Sequence, residues 1–479
     1  MPISRRTVLK GSALLVLYAA VPGCASGGGE EAGGDGDEAG DPGAGTTPDG
    51  SRVPDPEDWV VTRWRADPFA GGSYSFLAVG SSPDDRRALA APVGDRLFFA
   101  GEATSVANPA TAHGALESGR AAAAAVDEVA DEGARVVVVG AGLAGLGAAR
   151  ELHGLGYQVT VVEGRDRRGG RTFTDHSLGL PLDLGASWIH GIEGNPLSAL
   201  ADDLGVERGP ATDWVNELEF GPDGAELTDA GYAAADEALD AVLAYAAEQS
   251  EQRDEDAPLR DVVEEALADL DLDEEVEVVT RHYLNTTIEH EYAGSLEQLS
   301  AWWWDEGEGY GGEDQLLPGG YVGLVDGLAE GLDVRTGRVV QRITTDDEEV
   351  TVASDVDSVT ADHVVVTLPL GVLKAGTVSF APPLPEDKAT AIERLGMGLL
   401  DKVYLRFPEV FWDADADAIG WASPDADGRW AGWLNVAKVT GEPVLLGFNA
   451  AGYAEQLEVL SDEEVLADAM AVLRTIYGA

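Results

Sequence analysis

Three glycines set the first chemical question. Gly140, Gly142 and Gly145 stand in G-x-G-x-x-G spacing inside "RVVVVGAGLAGLGAAREL", directly after four consecutive valines. Glycine permits a tight turn and lets backbone N–H groups approach a pyrophosphate, and a helix beginning there turns its positive end toward the same anion. A second apolar run, "QVTVVE", ends in Glu163, whose carboxylate can accept hydrogen bonds from a ribose. A lone glycine fingerprint is weak; strand, helix, second strand and acid at working spacing together point to a bound dinucleotide. "GRDRRGGRT" follows, with Arg165 and Arg171 as cations and Gly169 and Gly170 letting the backbone fold against phosphate. Far downstream, Lys402 in "GLLDKVYL" is one of only five lysines (Lys10, Lys374, Lys388, Lys402, Lys438). It falls in a strand-like alternation, where a buried ammonium is costly unless paired, so it invites a functional reading.

The elements that must hold these residues read as alternating strand and helix, an α/β pattern. Residues 195–314 are helical and acid-rich, with apolar positions every three or four residues, as in amphipathic helices with solvated acidic faces. "AWWW" at 301–304 reads as core. The seven histidines show no metal-ligand spacing and Cys24 is the single cysteine, so no metal is expected. The balance of 87 acidic against 31 basic residues, net −56, repels nucleic acid and anionic membranes and attracts polycations. Its composition resembles that of halophilic proteins, whose carboxylates keep the surface hydrated.

Further blocks carry a resemblance: "LDLGASWIHG", "DQLLPGGYVGLVDGLAEGL", "ADHVVVTLPLGVLK", "VTRWRADPFAGGSYS" and "FFAGEATSVANPATAHGALESG". With the glycine fingerprint they resemble the flavin-containing amine oxidases, a family of monoamine and polyamine oxidases and lysine-specific histone demethylases, over nearly everything after residue 55. The resemblance implies a Rossmann-like FAD-binding domain of the two-dinucleotide-binding-domain type, with an interleaved α+β substrate domain on a mixed sheet. FAD would contact Gly140, Gly142, Gly145, Glu163, Arg165, Gly170, Arg171, Gly185, Ala186, Ser187 and Val340. Gly101, Glu102, Thr111 and Ala112 would reach its ribityl and ring side, with the helix opening near Thr111 aimed at the flavin. Ser73 stands where monoamine oxidases carry the cysteine that bonds the flavin, so FAD would be non-covalent.

In the family a lysine matching Lys402 holds a water against the flavin and aids reoxidation by dioxygen. Tyr74 matches one aromatic wall of the substrate cage. The second wall falls on Thr111, leaving a one-walled cage suited to secondary amines of long polyamine-like chains. His190 resembles a tunnel histidine, and Glu291 lies near a carboxylate that would bind a distal ammonium at the tunnel mouth. The implied reaction is oxidation of a small amine to imine and aldehyde, with dioxygen as acceptor and hydrogen peroxide as product. An amino-acid oxidase, whose substrate carboxylate would need a cation such as Arg63 or Arg281, stays open. So do a desaturase of the same fold and a non-catalytic FAD-holding surface protein.

The blocks are out of order. "VTRW…FAGEAT", C-terminal in the family, precedes the glycine fingerprint here, so the chain reads as circularly permuted, with a misassembled gene as the alternative. The order then predicts a signal at 1–24, an acidic Gly-rich tether at 25–54 and a substrate-domain segment at 55–95. The FAD-binding core follows at 96–194, the helical substrate domain at 195–314, a second FAD-binding segment at 315–372 and the substrate-domain sheet at 373–479. "SRRTVLK" resembles a twin-arginine export signal and "VPGC" a lipobox. These imply lipid attachment through Cys24 at the outer face of the cell membrane, or a cleaved signal in which the cysteine is incidental.

Overall fold

The computed structural model describes residues 3–4 and 52–478; the rest of the export-type segment, Cys24 and nearly all of the tether lie outside them. Five strands form a wholly parallel sheet in the order Asp333–Arg335, Gln158–Val162, Arg135–Val139, His363–Val366 and Leu97–Phe99. Parallel strands covered on both faces read as continuous apolar runs, and the valines obey this. Val136 and Val138 face the helices Ala112–Asp127 and Leu143–Gly154, packing with Leu116, Leu146 and Leu152. Val137 and Val139 face the other way, toward Ile343, Val350 and Val352. Those belong to a four-stranded sheet, Ser358–Ala361, Val350–Ser354, Val340–Thr345 and Ser379–Ala381. The two helices approach closely because Gly119 has no side chain: a methyl there would stand 2.0 Å from the Ala144 carbonyl oxygen.

The early block lies inside this body. Leu97–Phe99 pairs with His363–Val366 at the sheet edge, and Ala112–Asp127 then leads through residues 128–134 into Arg135.

The second body is a six-stranded mixed sheet: Glu217–Phe220, Ala418–Trp421, Gly432–Asn435, Val444–Ala450, Leu400–Arg406 and Asp58–Val61. Its first pair is parallel and the rest antiparallel. Val403, Leu405, Trp433 and Leu445 turn to the helix Asp462–Tyr477, whose start is fixed by a capping box between Ser461 and Glu464. The opposite face borders a cavity. Helices Asp229–Gln252, Leu259–Leu270 and Glu274–Leu284 build a separate core nearby. Trp304 joins that core, whereas Trp303 is 38% exposed, so "AWWW" is only partly core.

Two expected boundaries shift. The segment 195–314 is not purely helical, since Glu217–Phe220 enters the mixed sheet beside Ala418–Trp421. Ser379–Ala381, expected in the substrate sheet, pairs instead with Val340–Thr345. The four lysines among the described residues all donate to backbone carbonyls. Lys374 bonds Ile392 and Glu393, Lys388 bonds Ala88 and Leu89, Lys438 bonds Asp415, and Lys402 bonds Asp183 and Gly185. No helix among the described residues is long and apolar enough to cross a membrane.

Candidate active site

Both bodies border one cavity of about 1120 Å³. Its nucleotide end begins where Arg135–Val139 stops. Gly140 takes φ +108°, and a methyl there would stand 2.5 Å from Thr367 Oγ1, so the turn is open to glycine alone. Gly142 caps the helix Leu143–Gly154 without a side-chain bond, and the nearest atom to an added methyl is the Gly169 oxygen at 3.8 Å. The helix start therefore presents free backbone N–H groups to the cavity. The Gly169 amide bonds the Ala141 carbonyl at 2.8 Å, seating the arginine-rich loop against the first turn. Glu163, buried, accepts from the Ala141 and Arg165 amides, both at 2.8 Å, which fixes its carboxylate at the cavity wall. Every sequence-predicted cofactor residue borders the cavity except Gly145, which lies beneath it: a methyl there would be 2.0 Å from the Gly140 oxygen. The cradle has the glycines, helix start and fixed acid that a dinucleotide needs.

Glu102 turns inward. Arg171 donates to its Oε1 at 2.9 Å and Ser75 to its Oε2 at 2.6 Å, and Arg86 reaches Ser75 Oγ at 2.7 Å. Burial opposes its charge, but Arg171, Ser75 and Arg86 together hold the Glu102 carboxyl below the usual range. Arg171 also donates to the Ser73 carbonyl at 2.7 Å, so Glu102 fixes an arginine that borders the cavity beside it. Thr111 is the N-cap of Ala112–Asp127: its hydroxyl accepts from the Gly114 amide and donates to the Asn108 carbonyl, both at 2.9 Å.

The chemical end centres on Lys402. Its Nζ donates to the carbonyls of Asp183 at 3.1 Å and Gly185 at 2.6 Å and to Ser187 Oγ at 2.5 Å. Burial lowers its pKa to about 7, against the pull of the Asp183 carboxylate. Burial raises Asp183 in turn, opposed by the Thr174 hydroxyl, the Tyr321 amide and Lys402. Trp188 and Phe448 flank the ammonium at 5.8 and 5.9 Å. Tyr74 donates its hydroxyl to the His290 carbonyl at 2.5 Å, and His290 is pushed down to about 4 by burial and by His282.

The family model for flavin containing amine oxidoreductases matches residues 45–127 and 143–479. The chain belongs to this family. Polyamine oxidase 4 of Oryza sativa subsp. japonica is 34% identical over 346 residues, covering 69% of this chain and 70% of that protein. The lysine-specific histone demethylase 1 homolog 3 of Arabidopsis thaliana is 34% identical over 423 residues, covering 73% of this chain but 25% of the demethylase. A structure of wild-type putrescine oxidase bound to putrescine superposes with a TM-score of 0.58 at 21% identity, over 72% of this chain and 82% of that one. The flavoprotein fold is shared, and the chain is a FAD-dependent amine oxidase.

Within this amine oxidase the aromatic lining of the cavity extends beyond Tyr74. Thr111 offers no aromatic face, but Trp188 and Phe448 border the cavity with Tyr74, their rings 5.9 Å apart. Sequence reading missed both: Trp188 sat unremarked in "SWIHG", and Phe448 has no motif around it. His190 lies half-exposed at the mouth, its Nδ1 3.1 Å from Asp314 Oδ2. Burial would raise Asp314, but His190, the Gly191 amide and Trp214 hold it down at about 2. Glu291, exposed, borders the same cavity beyond the π-helical turn Asn285–Glu289. Also unforeseen are the carboxylates Glu217, Glu219, Asp236 and Asp240, which line the far arm.

Proposed function

We propose that the protein oxidises polyamines or related secondary amines, with non-covalent FAD, to an imine that water opens to an aldehyde, and passes the electrons to dioxygen as hydrogen peroxide. The observation that carries this reading is the charge of the cavity. Beyond the phosphate cradle the carboxyl groups of Glu291, Asp314, Glu219, Glu217 and Asp236 stand among aromatic and aliphatic walls, and burial raises the pKa of Glu217 and Asp236. Arg63, a possible partner for an amino-acid carboxylate, is bound to Leu460 and Asp462, and Arg281 to Glu264 and Glu277. Neither borders the cavity, and an acid lining suits a cation rather than an amino acid or a hydrocarbon.

When bound, FAD supplies the hydride acceptor and the reaction with dioxygen. The chain supplies position and field. Tyr74, Trp188 and Phe448 give apolar walls for the α-carbon, and the helix start after Thr111 would offer its positive end to a bound flavin, an effect worth about 0.3–1 kcal/mol or somewhat more when buried. The three positions around Lys402 Nζ are occupied by protein oxygens. For Lys402 to hold a water, one of these contacts must yield. Ser187 is the one whose oxygen can turn away by side-chain rotation, since its hydroxyl also reaches the Asp183 and Gly185 carbonyls at 3.2 and 3.3 Å. Ser73 Oγ, engaged with the Leu400 carbonyl and amide at 2.8 Å, cannot form the thioether of monoamine oxidases. Export by the twin-arginine route and a lipid anchor at Cys24 complete the proposal.

The test is anaerobic flavin absorbance in molar salt while spermidine, acetylated polyamines, benzylamine and amino acids are added in turn. Bleaching by a polyamine, with peroxide formed on admitting oxygen, is the expected result. Bleaching by L-amino acids alone would overturn the substrate class, and no bleaching with FAD bound would favour the non-catalytic alternative.

A further inference from the structure

One row of the mixed sheet differs from its neighbour. Cross-strand pairing sets Glu219, Gly420, Gly432, Phe448 and Lys402 side by side on five successive strands. Paired residues share a face, and Glu219, Gly432, Phe448 and Lys402 all border the cavity. Two residues along, the next row on that face holds Glu217, Ala418, Leu434, Leu446 and Tyr404. Leu434, Leu446 and Tyr404 are buried and close that row, while the first row has no side chain for the width of two strands.

The two glycines are not equivalent. A methyl at Gly420 would stand 2.1 Å from Glu219 Oε2, so that space is already filled by the carboxylate, which His282 Nε2 holds at 2.9 Å. A methyl at Gly432 would meet nothing nearer than His290 Cε1 at 3.6 Å. Gly432 leaves a gap in the floor just wide enough for a methyl against the His290 ring, between the aromatic end and the acid end of one cavity. With strands about 4.8 Å apart, Gly432 lies about 10 Å and Glu219 about 19 Å from Lys402 along the sheet. An extended chain gains about 3.5 Å per three bonds, so a four-carbon diamine spans about 6 Å between nitrogens, a triamine about 10 Å and a tetraamine about 15 Å. The diamine falls short of the gap, the triamine just reaches it and only the tetraamine passes it.

We propose that Gly432 determines substrate length: the gap it leaves in the sheet floor is the passage by which the methylene chain of a long polyamine runs from Lys402 toward the carboxylates of Glu217 and Glu219. The inference rests on the amine-oxidase reading above and narrows it to amines with widely spaced nitrogens. Glu217 suits the far end because it borders the cavity on the same face of the sheet as Glu219, two residues away along one strand. Asp236 and Asp240 border that cavity from the helix Asp229–Gln252.

The experiment compares the holoenzyme with Gly432→Ala, Gly432→Val and Glu217→Gln on putrescine, spermidine and spermine, with FAD content and Tm measured alongside. Valine suits a strand and its first carbon has room, so the fold and FAD content are expected to persist. The expected result for Gly432→Val is a loss of at least about tenfold in kcat/KM for spermine, mainly through KM, with putrescine changed less than about threefold. Glu217→Gln should raise KM for spermine by a larger factor than KM for putrescine. Equal losses on short and long amines, or no loss on spermine, would overturn the proposal. Should Gly432→Val fail to fold, the spermine-to-putrescine ratio in Gly432→Ala decides, and an unchanged ratio counts against the gap. A wild type that prefers putrescine overturns the length assignment while the amine-oxidase reading stands. A wild type reduced by none of the three overturns both.

Discussion

The two sheets that border the cavity make their halves of the site by different means. At the nucleotide end a few consecutive residues do the work: Gly140, Gly142 and the start of Leu143–Gly154 form one turn, and Glu163 closes it from the next strand. At the substrate end the working residues are scattered between 74 and 448, and those on the mixed sheet meet because strands pair in register. The first half is sensitive to backbone conformation, the second to side-chain size and charge. A substitution in the cradle should therefore abolish cofactor retention, whereas one in the mixed sheet should change rate or selectivity with the flavin still in place.

The sharpest break of that contrast is Gly140→Val. It places a branched side chain at φ +108° against Thr367. We expect the purified protein to lose essentially all flavin absorbance, and retention of FAD would mean that the cradle is not the site. Next comes Lys402→Met, which should leave FAD bound and slow reoxidation by dioxygen at least about tenfold more than anaerobic reduction, read by stopped-flow absorbance. Equal effects on both half-reactions would remove Lys402 from the oxidative step.

A smaller effect is expected of Asp183→Asn. The Asp183 carboxylate raises the pKa of Lys402, so its loss lets burial lower that pKa further. Any limb of the reoxidation pH profile set by Lys402 should move toward acid by about one unit; a shift toward alkali would contradict the pairing. The smallest change is expected of Ser187→Ala, which frees one position at Lys402 Nζ. Reoxidation should be retained, within about threefold of wild type, and a loss as large as that of Lys402→Met would make Ser187 itself essential to the step.

What could be read in the sequence follows the same division. The cradle was legible because glycine spacing, the valine run and the terminal acid are local, and local geometry survives whatever packs around it. Lys402 was legible by its rarity. Trp188, Phe448 and Asp183 were not, because each acquires its meaning from a partner more than a hundred residues away or from an unmarked strand register. The carboxylates Glu217 and Glu219 were hidden by abundance: among 87 acidic residues, no composition argument singles out the ones that face a cavity. The strand that carries them was lost for a related reason, since it is only four residues long within an otherwise helical segment.

The backbone knots tied by the lysines have a practical side. Lys374, Lys388, Lys402 and Lys438 all bind carbonyl oxygens, and the remaining cationic side chains of the described residues are arginines and histidines. Lys402, lowered to about 7, is deprotonated at lower pH than Lys388, lowered to about 8. Among the lysines of the described residues, a slim acylating reagent applied near neutrality would thus find the most readily deprotonated amine inside the cavity. Protection of that amine by a bound polyamine would turn a labelling experiment into an occupancy gauge that needs no turnover.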